Sequence, residues 1–240
     1  MAKQFWDTFT DILFPKSCAV CRNHLKNAGL NSLVCQECWG KIKNNTPPFC
    51  TRCGRHLENI SRVKVCPRCQ RTTLHFDRAF SPCRYEGVIK ELIHKFKYQN
   101  KDYLGEPLGK ILIDFVKEYE LPLQFIDTVL PIPLHERKMR EREYNQSDIL
   151  GEVYAREFNL QMIKDGLCRI KDTATQTGLK DPERWENMKD SFAVNTKNKI
   201  KGRNILLIDD ILTTGATCSE AASTLKNAGA GVVFVLTLAN

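Results

Sequence analysis

The stretch Asn204 to Thr217, Asn-Ile-Leu-Leu-Ile-Asp-Asp-Ile-Leu-Thr-Thr-Gly-Ala-Thr, constrains the fold of this chain more than any other. Its apolar run, Ile205 to Ile208, is too short for a helix and rich in branched side chains. That predicts a strand buried on both faces, as in a parallel sheet. Asp209 and Asp210 stand where such a strand would end, and a small hydroxyl-rich loop follows, Thr213-Thr214-Gly215-Ala216-Thr217. Thr217 and Glu220 have capping-box spacing, so a helix is expected to start there.

A strand–loop–helix turn aims backbone N–H groups and the positive end of a helix dipole at one point, which suits a phosphate. Gly215 allows close approach, and three threonines add hydroxyl donors. Carboxylates would repel a phosphate, so Asp209 and Asp210 suit sugar hydroxyls or a Mg²⁺ ion instead. A phosphate cradle beside a diol acceptor describes a site for a ribose 5-phosphate. Neither Gly-x-x-x-x-Gly-Lys-Ser/Thr nor Gly-x-Gly-x-x-Gly is present here. Ile205 to Thr217 resembles the 5-phosphoribosyl-1-pyrophosphate (PRPP) signature of type I phosphoribosyltransferases. In that family the acidic pair contacts the ribose hydroxyls and the loop binds the 5-phosphate.

The cysteines carry a second signal. Of eleven, eight form four Cys-x-x-Cys pairs: Cys18/Cys21, Cys35/Cys38, Cys50/Cys53 and Cys66/Cys69. Intervals of thirteen, eleven and twelve residues separate the pairs. Each pair presents two thiolates from a tight turn, and two pairs complete a tetrahedral S₄ shell for Zn²⁺. Short loops cost the least closure entropy, which favours the sequential grouping and leaves an interleaved one open. A thioredoxin-like redox role needs one such pair on a βαβ unit, not four in series. The intervening residues hold little apolar material, so metal is expected to fold this module.

The 240 residues allow one large or two modest domains, and the 42% hydrophobic and 27% charged shares are those of a globular protein. The net charge of +8 suits a polyanionic or phosphorylated ligand, with no basic block to suggest a disordered arm. Lys3, Asp7 and Asp11 interrupt the first apolar region, so no secretory signal is read, and no run is long enough for a transmembrane segment. So many thiols fit a reducing, cytoplasmic setting.

Residues 4–14 place Phe5, Phe9, Ile12 and Leu13 on one face of an amphipathic helix, which docks on the protein's own core, or on a partner or membrane surface. From Phe76 onward strands and helices alternate, predicting a parallel sheet flanked by helices. Arg78 to Tyr85 reads as a strand, and Val88 to Phe96 as a helix whose other face carries Lys90, His94, Lys95 and Lys97. That basic face is solvated, or its Phe96-Lys97-Tyr98 end helps to bind substrate. A second helix covers roughly Leu108 to Tyr119, and Asp127 to Pro133 reads as a buried strand. Next comes a run with Arg137, Lys138, Arg140 and Arg142. On an exposed helix its interleaved carboxylates would neutralise these cations. As a loop at a strand end it would suit a pyrophosphate. A helix from Ser147 to Phe158 follows, and the polar segment Arg169 to Asn187 reads as a flap.

Taken together the chain resembles the ComF/GntX branch of the phosphoribosyltransferases, a family associated with natural competence and use of external DNA. The resemblance rests on Leu13 to Cys21, Arg84-Tyr85-Glu86-Gly87, Phe96-Lys97-Tyr98, Pro131 to His135, Asn145-Gln146, Thr173 to Leu179 and the PRPP motif. Glu143 departs from it, standing where the family usually has glycine. The resemblance implies an N-terminal amphipathic helix (1–15), a double zinc ribbon with two Cys₄ sites (16–75) and a phosphoribosyltransferase-like domain (76–240). It implies Asp209 and Asp210 on the ribose hydroxyls, Thr213 to Thr217 on the 5-phosphate, and the four cations from Arg137 to Arg142 as candidates for pyrophosphate, with Mg²⁺ accompanying PRPP. Two functions follow as expectations. One is phosphoribosyl transfer to an unknown acceptor. The other is a non-catalytic module sensing PRPP or a nucleotide, with ribbon residues Arg52, Arg55, Lys64, Arg68 and Arg71 meeting single-stranded DNA or a DNA-uptake helicase.

Overall fold

Alternation of side chains across four long-range parallel strand pairings sets the architecture. The structure is a computed structural model, described here for residues 17–25, 33–58, 64–173, 181–195 and 200–240. Its strands are β1 (Arg78–Phe80), β2 (Thr128–Pro131), β3 (Gln161–Met162), β4 (Leu167–Arg169), β5 (Phe192–Val194), β6 (Ile205–Ile211) and β7 (Val233–Ala239). Five of them form a sheet in the order β1-β7-β6-β2-β3, with every neighbour parallel. On β6, Leu206 and Ile208 join one apolar core while Ile205 and Leu207 join another on the opposite face. On β7, Phe234 and Leu236 divide from Val233 and Val235 in the same way. Both faces are therefore buried, as the unbroken apolar run of β6 requires.

Helices flank the sheet and occur within the cysteine-rich segment. They are α1 (Gln36–Gly40), α2 (Pro67–Gln70), α3 (Gly87–Tyr98), α4 (Gly105–Glu118), α5 (Glu136–Arg142), α6 (Gln146–Glu157), α7 (Asp181–Met188) and α8 (Ala216–Asn227). Ile89, Leu92, Ile93 and Phe96 of α3 pack with Leu108 and Leu112 of α4 and Leu150 of α6 on the first face. Ala221, Ala222 and Leu225 of α8 cover the second, together with Met188 and the antiparallel β4–β5 pair.

The cysteine-rich segment closes the free edge at β1. Ala79 N donates to Arg52 O at 2.8 Å and Asn45 N to Pro82 O at 2.7 Å. An exposed parallel edge is thereby hidden from other chains. Gly54 makes the approach possible: its φ is +71°, and a Cβ there would lie 2.5 Å from the carbonyl oxygen of Ala79.

Several expectations need correction. Strand β1 stops at Phe80, and only Cys83 bridges onward to β7. Strand β6 does not end at Ile208 but runs to Ile211, because Asp209 pairs with Thr237 and Ile211 with Ala239. Thr217 and Glu220 form no capping box. Helix α8 is capped at Gly215, with φ at +85°, and Glu220 Oε1 instead accepts from Asp190 N at 2.8 Å. Within the expected flap, residues 181–188 form a helix, and Met188 is buried against the second core. Residues 174–180, and with them most of the Thr173–Leu179 match, lie outside the described residues, as does the helix expected at 4–14. Among the described residues no helix is long and apolar enough to cross a membrane.

Candidate functional site

The carboxyl end of the parallel sheet, where α/β folds place their ligands, opens into a cavity of about 440 Å³. Asp209 and Asp210 lie on its wall with Thr213 and Thr217. The acidic pair and the threonine loop, adjacent in sequence, therefore face one space.

Each acid is held differently. Asp210 is buried and its Oδ1 lies 2.9 Å from Lys97 Nζ. Burial pulls the Lys97 ammonium down, but Asp210 and then Asp209 outweigh it and keep its pKa above the ordinary lysine value. Asp209 Oδ1 accepts from Ser147 Oγ at 3.1 Å and from Asp210 N at 2.9 Å. Burial, followed by the neighbouring Asp210, pushes the Asp209 carboxyl up to about 6. Lys97 is thus no part of a solvated face: α3 turns it inward beneath the acids.

The loop is built to leave donors over. Leu212 N is taken by Ala239 O at 2.9 Å, and Ala216 N by the Thr214 hydroxyl at 3.2 Å. The amides of Thr213, Thr214 and Gly215 donate no hydrogen bond among the described residues. Three successive unengaged amides at the start of α8 form an anion-binding concavity. The side of the loop away from the cavity is lined by Thr214 and Gly215, and Ala216, 1% exposed, lines neither space.

The basic run proves to be helix α5, not a loop, and the helix divides its cations. Arg137 and Arg140 lie on the exposed side, facing Glu141 at 3.7 Å and Glu136 at 3.8 Å one turn away. Arg137 Nε also meets Asp172 at 3.1 Å. Neither arginine lines the cavity. Lys138 and Arg142 do, with Lys138 9% exposed and Arg142 Nη1 3.1 Å from Gln146 Oε1. Burial first, then Arg169 and Arg142, pull the Lys138 ammonium down to about 8. Glu143 caps α5 in the left-handed region at φ +65°, accepts from Asn100 Nδ2 at 2.6 Å and does not line the cavity.

Two wall residues were not anticipated. Ser147 follows the Asn145-Gln146 pair at the start of α6, and its contact with Asp209 spans 62 positions, which no local pattern reveals. Arg169 ends β4, where its guanidinium bonds the Thr173 hydroxyl and lies 5.7 Å over the Phe192 ring. Burial lowers its pKa.

The eight paired thiols gather into two clusters, Cys18/Cys21/Cys35/Cys38 and Cys50/Cys53/Cys66/Cys69, with each cluster's sulfurs within 4.8 Å of one another. This is the sequential grouping. Cys21 and Cys35 sulfurs are 3.7 Å apart and Cys53 and Cys66 sulfurs 3.8 Å. Tetrahedral thiolates about 2.3 Å from Zn²⁺ would stand roughly 3.8 Å apart. Backbone N–H groups of Cys35 and Cys66 donate to the Cys18 and Cys50 sulfurs, both at 3.3 Å, and so orient these sulfurs and stabilise negative charge on them.

Comparison with known proteins accords with both halves. Residues 9–73 match the double zinc ribbon domain, and residues 151–240 match the phosphoribosyl transferase domain. The chain is 30% identical to competence protein ComFC of Bacillus subtilis over 203 residues, covering 82% of this chain and 79% of that one. It belongs to the ComF family. Other ComF-type relatives are competence protein F of Haemophilus influenzae, 29% identical over 92% of this chain and 96% of that protein. The DNA utilization protein YhgH of Escherichia coli is 28% identical over 92% of this chain and 95% of its own length. The ComF fold here is accordingly a helix-flanked parallel sheet with a cysteine-rich zinc ribbon module, and the two Cys₄ clusters are its zinc sites.

Proposed function

We propose that the cavity binds PRPP and that the protein transfers its phosphoribosyl group to an acceptor in competence or DNA utilisation, the roles its relatives' names state. The observation that carries this is that the acidic pair shares its cavity with Thr213 and Thr217, the two ends of a loop whose Thr213, Thr214 and Gly215 amides are unengaged among the described residues. Asp209 and Asp210 take the 2- and 3-hydroxyls, directly or through Mg²⁺. Thr213 and Thr217 hydroxyls and the loop amides take the 5-phosphate. Lys97, Lys138 and Arg142 face the pyrophosphate, whereas Arg137 and Arg140 stay outside. Two adjacent carboxylate ligands fit a hard divalent cation, which when bound neutralises departing phosphate charge. The residues themselves orient the ribose and stabilise charge as the anomeric bond lengthens.

We further propose residues 16–75 as the ribbon domain and 76–240 as the transferase-like domain; the helix expected over residues 1–15 lies outside the described residues. None of the eleven cysteines is disulfide-bonded and eight gather into the two metal clusters, which supports a reducing, cytoplasmic setting. A second reading, a non-catalytic module meeting single-stranded DNA or a helicase, draws on exposed Tyr98 and Tyr103. Arg142 lies 4.8 Å over the first ring and Lys101 5.4 Å over the second. The ribbon arginines favour it less, since Arg52 is turned inward onto Leu74 O at 2.7 Å and Arg68 onto Thr213 O at 2.8 Å.

Pyrophosphate release from PRPP and Mg²⁺, screened over nucleobases and oligonucleotides, separates the readings. Acceptor-dependent release that vanishes in Asp209→Asn/Asp210→Asn supports transfer. Salt-sensitive DNA binding without turnover for any acceptor supports the module.

A further inference from the structure

The second cysteine cluster and the threonine loop share an interface whose two sides are chemically unlike. Helix α2 carries Arg68 between Cys66 and Cys69, and its Nη1 donates to Thr213 O at 2.8 Å, across 145 positions of sequence. Leu74 and Phe76, just past that cluster, lie behind the loop: a Cβ on Gly215 would sit 3.3 Å from Leu74 Cδ2 and 3.8 Å from Phe76 Cε1. His75 N donates to Ser219 Oγ of α8 at 3.0 Å, and Asn240 Nδ2 to Cys53 O at 3.1 Å. Four independent contacts thus tie the cluster to the loop and the strand beside it.

We infer that Arg68 is a positioning residue for the 5-phosphate, coupling the metal of the Cys50/Cys53/Cys66/Cys69 cluster to ligand affinity. A trans peptide is planar, with its C=O and N–H pointing in opposite directions. Fixing Thr213 O on the guanidinium therefore turns Thr214 N–H away from the ribbon, and that amide is one of the three left unengaged. A charged donor on the carbonyl also polarises the peptide, strengthening the N–H as a donor. Arg68 holds this position only while α2 is in place, and α2 lies within the Cys66–Cys69 knuckle that metal organises. Metal and 5-phosphate then stabilise one loop conformation. Each must raise the affinity for the other by the same factor. The first cluster, Cys18/Cys21/Cys35/Cys38, packs instead against the α3 and α4 side and makes no such contact among the described residues.

This rests on the phosphate reading of the loop, and the test separates the two. Metal loss to a colorimetric chelator is followed in the full-length protein with ribose 5-phosphate or inorganic pyrophosphate present. Ribose 5-phosphate should slow the release of one of the two metal ions several-fold, while pyrophosphate, lacking the 5-phosphate contact, should not. Arg68→Ala should keep two ions per chain, lose the protection, and weaken ribose 5-phosphate by about tenfold, the worth of one charged hydrogen bond. Its pyrophosphate affinity should stay within twofold of wild type. Ribose 5-phosphate that binds the wild-type protein without slowing metal loss overturns the coupling alone, whatever the variant does. Wild-type protein that binds no ribose 5-phosphate overturns the phosphate reading and the coupling with it.

Discussion

Lys97 Nζ and Asp210 Oδ1 lie 2.9 Å apart at the base of the cavity, joining α3 to the last residues of β6. The side chains are 18% and 8% exposed, so each charge depends mainly on the other. Removing one partner strands the other.

Lys97→Met is expected to destabilise the protein by about 3–5 kcal/mol, the cost of an unpaired buried charge. Adding Asp210→Asn should recover part of that loss, because it removes the stranded carboxylate. Urea midpoints of the two single variants and the double variant check this. A double variant weaker than Lys97→Met would show that the pair is not coupled.

Lys138 sets a pH dependence. Its ammonium titrates at about 8, and a bound anion favours the charged form. Below 8 the charge is already present, so pyrophosphate affinity should be level with respect to this group. Above 8 binding must take up a proton, and affinity should fall by up to about tenfold per pH unit. Lys138→Arg should flatten that fall. Isothermal titration at pH 7 and 9 reads both.

The division of α5 makes a residue-by-residue prediction. Arg137→Ala and Arg140→Ala, whose guanidiniums face Glu141, Glu136 and Asp172, should leave pyrophosphate affinity within about twofold, as exposed pairs contribute little. Arg142→Ala should weaken it by about tenfold or more, the loss of a charged contact. Equal losses across all the variants would mean that the whole helix acts as a diffuse basic surface.

Glu143 occupies a left-handed position, φ +65°, at the end of α5. Glycine adopts that conformation without Cβ strain, so Glu143→Gly should stabilise by about 0.5–1 kcal/mol despite losing the exposed contact with Asn100. The denaturation midpoint measures it, and a destabilised variant would mean that the Asn100 contact outweighs the strain.

Ile205 to Ile208 was legible because both faces of β6 are buried, which leaves no polar residue to interrupt the run. The extension through Asp209 to Ile211 was not, because polar residues join a strand there only through partners on β7. The acidic pair and threonine loop could be placed together because they are neighbours in sequence. The basic run was harder. Its alternating charges fit a loop or an exposed helix equally, and only the face that α5 turns toward the cavity separates Lys138 and Arg142 from Arg137 and Arg140. Ser147 and Arg68 were hidden for another reason: each acts through a contact more than sixty positions away. Paired thiols at regular intervals, by contrast, announce their chemistry in one dimension, since each turn supplies half a shell by itself.

The most direct test of the site is titration of the metal-loaded protein with PRPP and Mg²⁺ by calorimetry, in parallel with Asp209→Asn/Asp210→Asn. The account predicts saturable one-to-one binding that the double variant weakens by about tenfold or more. No binding to the wild-type protein, or equal affinity in the folded double variant, would contradict it.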